Sequence, residues 1–179
     1  MTNAADVVSF WRKAGPERWF ARTDTAFDTD FRNGFLDIHM AAARRELDHW
    51  RQTPESALAL LILLDQYPRN SFRGTAHMYA TDALALCIAR ETVACGFDQQ
   101  IEPALRLFVY LPWEHSENLA DQRRAVELIT PLGGEPLSHA LTHLDVIERF
   151  GRFPHRNPMF GRETTPEEAA YLAAGGFSG

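Results

Sequence analysis

Apolar positions recur along this chain with helical spacing, and one stretch departs from the pattern by having no polar face at all. From Ala57 to Leu64 the residues read Ala-Leu-Ala-Leu-Leu-Ile-Leu-Leu. A helix built from them is oily on every side and belongs in the interior. Thr53 supplies an N-cap, Pro54 occupies the first helical position, where a missing N–H costs nothing, and Pro68 is expected to close the helix. Asp65 then falls at the helix end, where the dipole disfavours a carboxylate and a cation is needed. Arg69 and Arg73 lie just beyond.

The remaining segments read as amphipathic helices. Val7, Val8, Phe10 and Trp11 form the apolar side of a first helix, ended by Gly15-Pro16. Thr25, with Asp28 three residues on, is expected to cap a second helix running to about Trp50. In it Phe27, Phe31, Phe35, Ile38 and Ala42 make one apolar row, and Leu36, Met40, Ala43, Leu47 and Trp50 make another, so packing on two sides is expected. Thr75 is the expected cap of a helix that Gly96 stops, and the next starts near Pro103 and stops at Pro112. Ser116 is read as the cap of a sixth helix, and a seventh runs from Pro136 to Phe150. A short last helix opens on the capping box Thr165-Pro166-Glu167-Glu168 and ends at Gly175-Gly176. No segment alternates with period two. The expectation is an all-α fold: one domain over residues 1–179, a single array of about eight antiparallel helices joined by short loops.

Composition narrows the class. A chain of 179 residues can bury roughly 70% of the surface its unfolded form exposes. The two cysteines, Cys87 and Cys95, fall on one predicted helix about 12 Å apart, too far for a disulfide. Reduced thiols suit a cytoplasmic protein. The longest apolar run is well short of the ~20 residues of a membrane span. A net charge of −6 argues against general affinity for nucleic acid or anionic lipid, so any anion site must be local.

If consecutive helices run up and down, alternate loops share an end, and the reactive side chains gather in one set. The loop after the oily helix carries Asn70 with Arg69 and Arg73; the loop after the fifth carries Glu114, His115 and Glu117; the loop after the seventh carries Arg152, His155, Arg156 and Asn157. Tyr67-Pro68-Arg69-Asn70 is echoed by Phe153-Pro154-His155-Arg156-Asn157. Arginine offers a donor fork suited to carboxylate or phosphate, and asparagine both orients and accepts. Each arginine taken alone could equally bind helix-end carbonyls and neutralise Asp65, Glu114, Glu117 or Glu148. A histidine beside carboxylates can titrate near neutrality, which makes His115 and Glu117 the candidates for proton transfer. His143 is expected to be an internal polar group hydrogen-bonded to a carboxylate. His139 and His143 share a helix face, but no ligand motif accompanies them, and no metal is assigned. No cofactor is indicated.

Several of these stretches resemble the bacterial proteins grouped as domain of unknown function 924. The resemblance is carried by Phe10-Trp11, by Leu63-Leu64-Asp65-Gln66-Tyr67-Pro68-Arg69-Asn70 with Phe72-Arg73-Gly74, by Tyr110-Leu111-Pro112 with His115-Ser116-Glu117, and by Arg149-Phe150-Gly151-Arg152-Phe153-Pro154-His155-Arg156-Asn157 with Gly161-Arg162. Tyr67 stands where the family usually has phenylalanine. The resemblance implies a tetratricopeptide-like helical array and brings no established activity, and the repeat consensus of those arrays is absent here.

Two functions follow as expectations. One is a polar pocket binding a small anionic ligand through Asp65, Arg69, Asn70, Arg73, Glu114, His143, Arg152, His155, Arg156 and Asn157, with catalysis by His115 and Glu117 left open. The alternative is an interaction module whose arginines grip an acidic peptide or protein.

Overall fold

The structure of the protein, a computed structural model, describes residues 2–21 and 24–179. All regular structure among them is helical, as the absence of period-two segments requires. The chain divides into two units, Met1–Pro112 and Trp113–Gly179.

The first unit holds α1 (Ala4–Ala14), α2 (Pro16–Trp19), α3 (Thr25–Ala43), α4 (Pro54–Leu61), α5 (Tyr67–Ser71), α6 (Asp82–Ala94) and most of α7 (Pro103–Glu114). Every residue from Ala57 to Leu64 is at most 2% exposed, as a helix without a polar face must be. Each buried leucine or isoleucine there contributes about 2 kcal/mol. α4 packs against α1 and α6, and α5 packs against α3. The Trp11 ring meets Phe31 at 5.3 Å and Phe108 at 5.2 Å between centroids.

Pro68 does not close the central helix. Ile62–Gln66 wind as a π-helical turn, and α5 follows directly. Proline has no hydrogen to give the carbonyl four residues back, and its ring collides with that carbonyl in an α-helix. The wider turn avoids the collision by passing the Tyr67 N–H to Ile62. The Leu63 carbonyl, which an α-helix would pair with Tyr67, accepts instead from His39 Nδ1 at 2.8 Å. The Leu64 carbonyl, which would have faced Pro68, accepts from Thr81 Oγ1. Helical winding also passes through Pro112, so α7 extends to Glu114.

Other boundaries move for local reasons. Asp24, not Thr25, caps α3 by accepting from the Phe27 N–H. α3 ends at Ala43, ahead of Arg45, which takes a left-handed φ of 65°. Only one row of α3 is buried, Phe27, Phe31, Phe35, His39 and Ala42, while Leu36 is 36% exposed. After Thr75 a 3-10 turn, Ala76–Tyr79, precedes α6.

The second unit contains α8 (Leu119–Ile129), α9 (Gly134–Phe150), α10 (Asn157–Phe160) and α11 (Pro166–Ala173), with α8 against α9. Its core is Val146, Ile147 and Phe153, with Leu119, Phe150, Tyr171 and Phe177 packed on it. Asn118 rather than Ser116 caps α8, accepting from the Ala120 and Asp121 N–H groups. Gln122 closes the end of α7 by donating to the carbonyls of Glu114 and Ser116, both at 2.6 Å. The capping box of α11 forms as expected between Thr165 and Glu168. Among the described residues no helix is long and apolar enough to cross a membrane.

Candidate functional site

Asp65 and Arg69 sit side by side in the first unit because the π turn keeps the chain helical through both. Asp65 is 1% exposed, and its Oδ1 lies 3.2 Å from Arg69 Nη1. The same guanidinium grips Asp82 through two bonds of 2.8 and 2.9 Å. Burial, the largest influence, disfavours its charge, but the Asp65 and Asp82 carboxylates outweigh it and raise the Arg69 pKa. Arg73 donates to both oxygens of Asp28 at 2.7 and 3.3 Å, and Asn70 Nδ2 adds a third donor at 2.8 Å. Asp28 lies in the first turn of α3, where the dipole favours a carboxylate.

The second unit repeats this device. Arg152 donates to both oxygens of Glu168 at 2.6 and 2.9 Å, Asn157 Nδ2 adds a bond of 3.1 Å, and Glu168 lies in the first turn of α11. The Arg152 hydrogen bonds, the largest influence, hold the Glu168 carboxyl down to about 2. The echo between Pro68-Arg69-Asn70 and Pro154-His155-Arg156-Asn157 therefore has a physical meaning: each asparagine ties its turn to an acidic side chain at a helix N-terminus, and a further arginine, Arg73 or Arg152, locks that side chain from the other side. Glu117 is locked likewise, by Arg162 at 2.7 and 3.0 Å and by the Phe153 N–H at 2.8 Å. Burial pushes its carboxyl up, yet these bonds and the charges of Arg162 and Arg156 together hold it below the usual range.

A different arrangement surrounds His143. Its Nδ1 lies 2.8 Å from the His139 carbonyl and 3.1 Å from Glu114 Oε1, and the two side chains are 9% and 4% exposed. Burial pushes the imidazole down to about 3, helped by the nearby His115 and Arg156. His143 is thus neutral, with its hydrogen on Nδ1, where two acceptors meet it, and its lone pair on Nε2. The His115 ring is 6.3 Å from that of His143, and the His115 carbonyl accepts from Arg156 Nη1 at 3.0 Å. Arg156 is 6% exposed and lies 4.3 Å over the Phe153 ring. Phe153, His155 and Phe177 enclose the group with aromatic contacts of 5.3 to 6.1 Å. A buried carboxylate, a neutral imidazole, a guanidinium and a second imidazole are so brought together within one unit.

Asp65, Arg69, Asn70 and Arg73 belong to the first unit, and Glu114, His115, Glu117, His143, Arg152, His155, Arg156 and Asn157 to the second. Sequence reading passed over His39 and His77. His39 is fully buried, stacked 4.6 Å from Tyr67 and edge-on to His77 at 5.8 Å. Its i, i+4 place in the Phe27–Ala42 row was the available signal. Among the described residues no group of three or more His, Cys, Asp or Glu could hold a metal ion.

The model of the family described as "Bacterial protein of unknown function (DUF924)" matches residues 7–176. The chain belongs to the DUF924 family. It is also similar to the solved structure of a protein of unknown function from Agrobacterium tumefaciens, with 58% identity over 96% of this chain and 97% of that one and a TM-score of 0.94. No curated protein matches the chain. The DUF924 resemblance noted in the motifs thus extends over nearly the whole chain, and its all-α fold is shared by a solved relative.

Proposed function

We propose that this DUF924 protein binds a small anionic molecule in the second unit, at the group formed by Glu114, His115, His143 and Arg156. The observation that carries the reading is the Glu114–His143 contact: a carboxylate and an imidazole, both nearly buried, are costly to keep together without a use for them. Arg156 and His115 supply donors suited to a carboxylate or phosphate. The His143 Nε2 lone pair can accept a hydrogen bond from the ligand, and proton transfer falls to His115, the second imidazole of the group. Glu117, Arg152 and Asn157 serve it as locks on the surrounding turns, and Arg69, Arg73 and Asn70 do the same for the first unit. We also place the protein in the cytoplasm, a reading supported by two exposed, free thiols, Cys87 and Cys95.

The test is a thermal-shift screen of aliphatic and aromatic carboxylates and phosphates. A compound that raises the wild-type Tm should lose its effect in His143→Gln and Arg156→Lys, and keep it in Arg73→Lys. A panel without any stabilising compound, or shifts that survive both second-unit substitutions, would contradict the reading.

A further inference from the structure

After α11 the chain turns back on itself. Gly175 adopts a left-handed φ of 79°, which a residue with a side chain would resist. Gly176 then lies flat on the Tyr171 ring, where an added Cβ would come within 2.5 Å of ring atoms. Only glycine fits that approach. The Phe177 N–H donates to the Tyr171 hydroxyl at 2.8 Å. This short strap sets the Phe177 ring 4.3 Å from His143, 5.3 Å from His155 and 6.1 Å from Phe153. Gly179 continues it against His155, where a Cβ would meet Nε2 at 2.9 Å.

Two features separate this contact from ordinary core packing. The Phe177 ring is half-buried and touches both a buried core residue, Phe153, and the imidazole paired with Glu114. The Phe177 amide is anchored by a hydrogen bond to a side chain, one residue past the α11 cap in which the Gly175 and Gly176 amides bond the Leu172 and Tyr171 carbonyls. A partly exposed segment at and just past a helix cap can fray open without unfolding the helices beneath it.

We propose that Gly175–Phe177 is a removable plug, with Phe177 filling in cis a slot that takes the aromatic ring of the ligand. The proposal rests on the reading of the Glu114–His143 group as a binding site and narrows its ligand to an aromatic ring bearing a carboxylate. Imidazole and phenyl rings that receive Phe177 at 4.3 to 6.1 Å offer the edge and face contacts that favour a flat ring. The anionic group would then lie toward Arg156 and His115.

The plug is tested on the full chain. In the wild type, hydrogen exchange at the Phe177 amide should be faster than at Ile147 in α9 by about tenfold or more. Carbethoxylation of His143 by diethyl pyrocarbonate should rise about tenfold in Phe177→Ala and less in Tyr171→Phe, which removes only the acceptor of the Phe177 amide. His39, buried in the first unit, reports folding and should stay unmodified. Phenylacetate should bind Phe177→Ala about tenfold more tightly than wild type because no ring need be displaced, while acetate should distinguish the two proteins far less. A Phe177 amide protected as well as that of Ile147, or unaltered His143 modification in folded variants, overturns the plug. Equal binding of phenylacetate by both proteins overturns the plug and leaves the site reading standing. Opening of the strap with no anion bound by either protein overturns the site reading instead.

Discussion

His39 gives its Nδ1 hydrogen to the carbonyl of Leu63, 2.8 Å away, across 24 residues of chain. That bond, with the one from Thr81 to Leu64, supplies donors to carbonyls that lose their α-helical partners at Pro68, and so allows the most apolar helix to run on into α5. His39→Leu roughly keeps the volume and removes the donor, so it should cost about 1–2 kcal/mol for the unpaired carbonyl. His39→Ala adds a cavity and should cost about 3 kcal/mol. Urea denaturation measures both. A cost under about 0.5 kcal/mol for the volume-keeping variant would show that the donor contributes nothing.

Asp65 is the acidic partner of a guanidinium that is itself only 14% exposed. Asp65→Ala takes one carboxylate from Arg69, which keeps its ion pair with Asp82, and opens a polar gap in the core. The expected loss is about 3 kcal/mol, measured by chemical denaturation. A change under about 0.5 kcal/mol, typical of the surface, would contradict the placement of Asp65.

Acid stability should carry two signatures. His143 has a folded pKa of about 3, against an ordinary 6.5, so between those values the unfolded chain binds its proton and the folded protein does not. Stability therefore falls as pH drops through that window. Glu168 is also depressed, to about 2 from 4.5, and its contribution, complete above pH 4.5, is lost as pH falls toward 2. His143→Gln should flatten the stability curve between about pH 6.5 and 4.5, and Glu168→Gln should flatten it mainly below that. Interchanged effects, or parallel curves, would refute the assignment.

Both cysteines are exposed and unpaired. Native protein prepared under reducing conditions should therefore release the equivalent of two thiols to Ellman's reagent without denaturant. A single reactive thiol would show that one of Cys87 and Cys95 is covered in solution.

Much of the fold was legible because local chemistry decides it. No arrangement other than burial suits Ala57–Leu64, and the Thr165–Glu168 box forms wherever its backbone does. The π turn was not legible, since its donors come from His39 and Thr81, on other elements. For the same reason Arg69, Arg73 and Arg152 looked like a set poised for an external anion. Their carboxylate partners Asp82, Asp28 and Glu168 lie 13, 45 and 16 residues away, beyond the range of any local pattern. His143 was expected to bond a carboxylate, but the sequence did not say that Glu114 would be the one. Phe177 follows a Gly-Gly pair that reads only as a helix stop, and its role depends on Tyr171 and on the rings it reaches.

The most direct measurement is an NMR titration of the histidine rings, observed through their long-range proton–nitrogen couplings, with phenylacetate and with inorganic phosphate. Before addition, His143 should appear as the neutral Nδ1–H form at pH 6. On addition of at least one of the two anions its ring resonances should move saturably, together with those of His115, while those of His39 stay fixed. A His143 that is protonated at that pH, or that fails to respond while other sites do, would contradict the account of the Glu114–His143 pair as the centre of a ligand site.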